Sequence, residues 1–349
     1  MHYMGIDHHK QYSHITVLDE RGEVIKAERV GNTSKEVDVF LHGLDGKIEG
    51  VIEAGYSHYT MMDLMESAGV RMKIAHPEQV KAIAKAKIKT DKRDSKILAH
   101  LLRSDLIPEV YCRDKENREA QRILRHRVTY VRMQTQVKNR IRALLAKQRE
   151  EVRQIVVLEE NLFKVSGIKV LGSLELPGRD QQMLESLLET LEHLKGKIKL
   201  SDALVREVLR SSEEARLIST LPGFKEFFPV LVSVEIADIN RFDSPANLHS
   251  YAGLVPSTHA SGGKIYHGKL VHQGNKWLRW AAVEAVWPAV RSDFDIRLFY
   301  QRRKKRKGAN SAKVATARRL LTIIYRVLKE KRAYIPYKRE KHTAAFSGI

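Results

Sequence analysis

The chain has a single cysteine, Cys112, in 349 residues. One thiol excludes an internal disulfide framework and a cysteine-rich zinc site, and it fits a reducing compartment. No apolar run reaches the ~18 residues that a transmembrane helix needs. The opening Met1-His2-Tyr3-Met4-Gly5-Ile6-Asp7 also lacks the basic-then-apolar pattern of a secretory signal. These absences predict an intracellular protein with no membrane partner. Acids are short as well: 42 Asp and Glu stand against 62 Lys and Arg, leaving a net charge of +20. Such an imbalance implies an acidic partner, and nucleic acid is favoured over an anionic membrane surface. Apolar residues are plentiful, at 43% of the chain. That supplies cores for two or three domains at ~150 residues each.

Alternation of apolar and polar residues predicts strands at 3–7, 12–18 and 24–30, a three-stranded meander. Thr33-Ser34 resembles a helix N-cap ahead of Val37, Phe40, Leu41 and Leu44. A strand at 50–54, a helix at 58–67 stopped by Gly69, and a strand at 70–75 follow. The predicted order is β-β-β-α-β-α-β-α, an α/β arrangement that ribonuclease-H-like nucleases adopt. Beyond Pro108 the pattern becomes helical and basic. One long helix or a helical hairpin is predicted over about 118–160, with Arg118, Arg122, Arg125, Arg127, Arg132, Lys138, Arg140, Arg142, Lys147 and Arg149 around an apolar stripe. Ser166-Gly167, Gly172-Ser173 and Leu176-Pro177-Gly178 read as breaks. A second long helix starts near Asp180, with Leu184, Leu187, Leu188, Leu191, Leu194 and Ile198 at three- and four-residue steps. That stripe fits ordinary helix packing or a coiled-coil arm that pairs protomers.

From Glu214 onward, Leu221-Pro222-Gly223 has the turn of a helix-hairpin-helix element, whose backbone amides can hold a DNA phosphate. A helix beginning at Ser244-Pro245 leads into a glycine-rich stretch over 251–274, and a helix at 277–290 closes it. Arg302 to Lys307 are six consecutive basic residues. They read as a solvated face or a phosphate contact, ahead of an amphipathic helix carrying Val314, Leu320, Leu321, Ile324 and Leu328.

Chemistry enters with carboxylates. Asp91 and Asp94 stand three residues apart in the basic run 89–99, so on a helix they share one face. They fit a solvated mixed-charge face or a pair of oxygen ligands for a hard cation such as Mg2+. In a ribonuclease-H-like topology Asp7 ends the first strand and Glu53 the fourth, which neighbours the first. Asp91 and Asp94 then face the same corner and complete a four-carboxylate cup for one or two Mg2+ ions. Its chemistry is phosphoryl transfer.

Gly5-Ile6-Asp7, Ile52-Glu53-Ala54, Thr90-Asp91-Lys92-Arg93-Asp94, Leu221-Pro222-Gly223, Arg241-Phe242, Tyr251-Ala252-Gly253-Leu254-Val255-Pro256, Ser261-Gly262 and Gly274-Asn275-Lys276-Trp277-Leu278-Arg279 occur in this order. Together they resemble the DEDD transposases of the insertion-sequence-110 family, to which Piv-type invertases are related. The resemblance implies a RuvC-like catalytic domain over 1–112 with Asp7, Glu53, Asp91 and Asp94 as its metal-binding tetrad. It further implies a basic helical, coiled-coil region over 113–212, a mainly α transposase domain over 213–300, and a basic tail over 301–349. Ser261, five residues after Pro256, takes the place of the family's nucleophilic serine, with Ser257 its nearest rival. His259, His267 and His272 read as loop histidines with no part in the chemistry, or as proton shuttles or phosphate contacts. The implied activity is transposition or site-specific recombination of double-stranded DNA through a serine–DNA intermediate, guided by a structured non-coding RNA. It places the protein in a bacterial or archaeal cytoplasm with the nucleoid, as a homo-oligomer, dimer or tetramer.

Arg118, Arg122, Arg125, Arg132, Lys138, Arg140 and Arg142 are expected to track phosphates, as are Lys225 and Arg279. The sequence departs from the family pattern at Ser95, where alanine is frequent, at Phe224-Lys225, where a second glycine is usual, and at Val271-His272, where Ser-Lys is usual. A junction-type nuclease that uses water as nucleophile and a non-enzymatic nucleic-acid-binding protein remain the alternatives.

Overall fold

The computed structural model describes residues 1–84, 90–158, 161–261, 264–270 and 273–336. The chain divides into two units, Met1–Arg113 and Asp114–Ile349.

The first unit is built on one mixed sheet. β1 (His2–His8), β2 (Tyr12–Leu18) and β3 (Val24–Gly31) form an antiparallel meander. α1 (Ser34–Leu41) follows, its N-cap Thr33 accepting from the Glu36 amide. β4 (Ile48–Glu53), α2 (His58–Ser67), β5 (Arg71–Ala75), α3 (Pro77–Ile83) and α4 (Asp91–Arg103) come next. β4 pairs parallel with β1, and β5 pairs parallel with β4. A sixth strand, β6 (Glu109–Val110), lies antiparallel on β5. The sheet order is β3-β2-β1-β4-β5-β6. β6 was not expected, because two residues are too few to show alternation.

Strand alternation sends side chains to both faces of this sheet. Met4, Ile6, Ile15, Val17 and Ile52 meet Val37 and Phe40 of α1 and Met61, Met62 and Met65 of α2. Val51 and Ala75 face the other way, against Val80 of α3 and Leu98, Leu101 and Leu102 of α4.

The second unit is mainly helical. α5 (Lys115–Leu145) is one long helix, and the pattern expected to reach 160 is interrupted before α6 (Glu150–Leu158). α7 (Val165–Gly172) runs through Ser166-Gly167, so these two are not a break. A Cβ at Gly167 would stand 2.3 Å from the Leu162 carbonyl oxygen, so close packing rather than a turn demands glycine there. α8 (Arg179–Ser211) lies antiparallel to α5: Val137, Ile141 and Leu145 pack with Leu184, Leu191 and Leu194, whereas Ala120, Leu124 and Val128 share a core with Val205. Leu184, Leu191 and Leu194 of the α8 stripe are thus buried within the chain, with Leu187 and Leu188 partly buried beside them.

α9 (Glu213–Ser219) and α10 (Phe227–Ile236) flank the Leu221-Pro222-Gly223 turn. Gly223 has φ +91 there, and a Cβ would lie 2.5 Å from the Ala285 carbonyl oxygen. After α11 (Pro245–Tyr251), capped by Ser244, the glycine-rich stretch forms an antiparallel hairpin of β7 (Pro256–Ser261) and β8 (Lys264–Leu270). α12 (Lys276–Glu284), α13 (Val286–Ser292) and α14 (Phe294–Lys329) complete the unit. α14 runs through residue 300, so the basic run Arg302–Lys307 is helical and exposed, ending at a kink at Gly308 (φ 78). The rest of the expected tail beyond residue 336 lies outside the described residues.

Candidate active site

Alternation along β1 turns Gly5 and Asp7 away from the Met4 and Ile6 core and toward α4. α4 approaches closely because position 5 has no side chain: a Cβ there would meet the Ser95 carbonyl oxygen at 2.0 Å and the Ala99 amide nitrogen at 2.5 Å. Ser95 fastens the same sheet-facing side of the helix to β2. Its buried hydroxyl lies 2.8 Å from Thr16 Oγ1 and 3.0 Å from His14 Nδ1 and donates to the Lys92 carbonyl at 3.1 Å. Thr90 caps α4, accepting from the Arg93 amide at 3.3 Å, and Asp91 and Asp94 occupy the first turn, where the helix dipole favours negative charge.

This docking brings Asp91 to Asp7, with His9 between them. His9 Nε2 lies 3.4 Å from Asp7 Oδ2 and 3.2 Å from Asp91 Oδ2. One donor atom from each of the three residues falls within 4.8 Å of the others, the one such group among the described residues. Tyr12 donates its hydroxyl to Asp91 Oδ2 at 3.1 Å, and that bond to a carboxylate raises the phenol pKa. Below the centre, Asn32 Nδ2 donates to the His9 carbonyl at 2.8 Å, and the buried Ser13 hydroxyl donates to Asn32 Oδ1 at 2.8 Å. His8 touches Ser13 Oγ at 2.8 Å and Ser57 Oγ at 3.0 Å; burial, then the neighbouring His9 and His58, lower its pKa.

Two carboxylates and an imidazole converging in this way fit a divalent cation by donor chemistry. One atom sharpens the fit. His9 Nε2 is enclosed and, despite its proximity to both acids, makes no hydrogen bond of normal geometry with either. Of the four expected acids, Asp7 and Asp91 are in this group. Glu53 and Asp94 stand nearby in the fold but outside it: Glu53 follows the Ile6↔Ile52 pair on the strand beside Asp7, and Asp94 is one turn along α4. His9 was missed by sequence reading. The available signal was its position two residues after Asp7, just past the end of β1 at His8.

In the second unit, Ser261 ends β7, its backbone paired with that of Lys264. Gly262, Gly263, Val271 and His272 lie outside the described residues, as do the side chains of Ser261, His259 and His267. The base of the hairpin is tied firmly. The Asn275 amide donates to the Tyr251 carbonyl at 2.7 Å, and Asn275 Oδ1 caps α12 by accepting from the Trp277 and Leu278 amides at 3.0 Å. Asn275 Nδ2 donates to the buried Glu235 carboxylate at 2.7 Å, which also pairs with Arg125. Gly274, with φ +114, lies where a Cβ would meet the Gly253 amide nitrogen at 2.8 Å.

The expected phosphate contacts divide in two. Arg122, Arg132, Arg140 and Arg142 of α5 and Lys225 are exposed, whereas Arg118, Arg125, Lys138 and Arg279 are half-buried. Arg125 is committed to Glu235 and to the Trp277 ring, 3.7 Å from its guanidinium carbon. Arg279 reaches the Gly253 carbonyl at 3.5 Å. Burial, with Lys195 and Arg142 nearby, lowers the Lys138 pKa. No helix among the described residues is long and apolar enough to cross a membrane.

Residues 4–148 match the IS110-type DEDD model, described as a transposase, and residues 215–301 match the model described as transposase of the IS116/IS110/IS902 family. The chain is 25% identical over 340 residues to the transposase for insertion sequence element IS1111A of Coxiella burnetii, covering 95% of this chain and 90% of that one. It is 22% identical to a probable family 20 transposase of Pseudomonas aeruginosa, covering 95% and 98%. Over 157 residues it is 32% identical to the pilin gene-inverting protein of Moraxella bovis, covering 42% and 48%. With both models matched in order along a chain that carries an acidic centre and a serine-bearing hairpin, the protein belongs to the IS110/IS116 family of transposases.

Proposed function

We propose that this transposase cuts and rejoins double-stranded DNA by metal-assisted phosphoryl transfer, with Ser261 as nucleophile and Asp7, Glu53, Asp91 and Asp94 as the metal-holding acids. The observation that carries the reading is the meeting of Asp7 and Asp91 at the end of β1, in a chain matched by the DEDD transposase model. The strand order, with β4 parallel to β1, supports a RuvC-like reading of the first unit. A divalent cation of the Mg2+ class, held by these carboxylates, would polarise the scissile phosphate and stabilise the attacking and leaving oxygens.

The Ser261 hydroxyl loses its proton to a base or water, and its oxygen bonds to phosphorus as the bond to the departing strand oxygen breaks. That oxygen leaves protonated, and the phosphoester bond is conserved as phosphoserine. Attack by the incoming strand's hydroxyl reverses the step and frees the serine, so rejoining needs no external energy source. Tyr12 orients the Asp91 carboxylate, and the exposed arginines of α5 hold backbone phosphates. The same basic face supports a structured guide RNA as second partner, with base pairing rather than side chains reading sequence. Protomers assemble as a homo-oligomer on the DNA.

A strand-transfer assay with the full chain and its element ends tests this. Ser261→Ala should abolish covalent protein–DNA adducts and rejoining, and Asp7→Asn or Asp91→Asn should abolish cleavage. Normal cleavage by Ser261→Ala would make water the nucleophile and overturn the serine mechanism.

A further inference from the structure

We infer that His9 is a nitrogen ligand of the metal centre, which therefore prefers a first-row transition ion such as Mn2+ to Mg2+. The inference rests on the metal reading above and adds a donor outside the four acids. His9 Nε2 stands 3.4 and 3.2 Å from Asp7 Oδ2 and Asp91 Oδ2 yet hydrogen-bonds with normal geometry to neither. An imidazole nitrogen that faces two carboxylates at once and aligns on neither has the geometry of a ligand set; a simple imidazole–carboxylate pair would align its N–H on one oxygen.

The imidazole is also held in place. Its backbone carbonyl accepts from Asn32 Nδ2 at 2.8 Å, its amide donates to the Tyr12 carbonyl at 2.9 Å, and its ring packs 4.9 Å from the Tyr12 ring. Tyr12 is itself pinned by the Arg29 guanidinium, 3.7 Å above its ring, and by its bond to Asp91. A ring fixed on a fixed neighbour loses little entropy on binding an ion. The His9 and Asp91 side chains are 40% and 42% exposed, so the centre lies at the protein surface with Nε2 itself turned inward. Mg2+ demands oxygen ligands and sheds water reluctantly, whereas imidazole nitrogen favours transition ions.

Pulsed electron paramagnetic resonance on the full chain with substoichiometric Mn2+ reads nitrogen coordination directly. Wild type should show nitrogen modulation that is lost in His9→Gln, with Mn2+ affinity falling at least ~10-fold and the circular dichroism spectrum unchanged. His9→Asp, which substitutes an oxygen donor, should bind without nitrogen modulation and shift preference toward Mg2+. Mn2+ that is lost on Asp7→Asn but shows oxygen-only coordination in wild type overturns the role of His9 and leaves the carboxylate site standing. Mn2+ binding indifferent to Asp7→Asn and Asp91→Asn overturns both.

Discussion

A single missing methyl group determines whether the acidic centre exists. Gly5 allows the backbone of α4 to lie directly on β1, and only that approach brings Asp91 to Asp7. Gly5→Ala should therefore push the helix away, costing about 1–3 kcal/mol as overpacking does. Denaturant unfolding would show the loss, and divalent-ion titration should show weakened binding beyond what the stability change explains. Ser95 adds a tether to the neighbouring strand β2, and its place in the His14–Ser95–Thr16 contact gives a structural role to a serine where the family often has alanine. Burial holds the His14 pKa below its ordinary 6.5, and that of His249 likewise. As pH falls through about 6.5 the unfolded chain takes up protons that the folded chain refuses, so stability declines from there down to the lowered folded pKa values. Above pH 7 these groups contribute no slope. His249→Gln should flatten part of the decline in unfolding curves recorded between about pH 7 and 5.

Among elements, α5 does two jobs with one residue type. Arg125 serves the interior: Arg125→Ala breaks the ion pair with the buried Glu235 carboxylate and should cost about 3–5 kcal/mol in unfolding free energy. Arg132→Ala and Arg140→Ala, on the exposed surface, should leave stability within about 0.5 kcal/mol while weakening DNA binding and reducing its salt slope. Which arginine belongs to which class was not legible in the sequence, because Glu235 lies 110 residues away from Arg125. β2 and α2 were legible to the residue, since Tyr12–Leu18 alternates and His58–Ser67 ends before a glycine at φ +85. The hairpin of β7 and β8 was not. Its glycines and polar residues carry no alternation, and its register comes from pairing across the tip and from the Asn275 anchor at its base.

For the molecule as a whole, two units with separate cores and a strong positive charge set the behaviour. Residues 1–113 contain a complete sheet covered on both faces. A fragment of that length should fold alone, and calorimetry of the full chain should resolve two transitions. The net charge of +20 makes DNA affinity salt-dependent. Raising salt from about 50 to 200 mM should weaken non-specific binding by roughly a thousandfold or more, if six or more phosphates are contacted.

By itself the sequence determined the kind of partner, the strand and helix order of the first unit, and the acids at its chain positions. Those follow from charge and from periodicities that act between near neighbours. Only the tertiary structure decided that His9 joins Asp7 and Asp91 while Glu53 and Asp94 stand outside that group, that Arg125 is committed to Glu235, and that the leucines of α8 meet α5 of the same chain. Each of these depends on how closely two distant backbones approach, and that distance is set by packing at positions such as Gly5, Gly223 and Gly274, where a side chain would hold them apart.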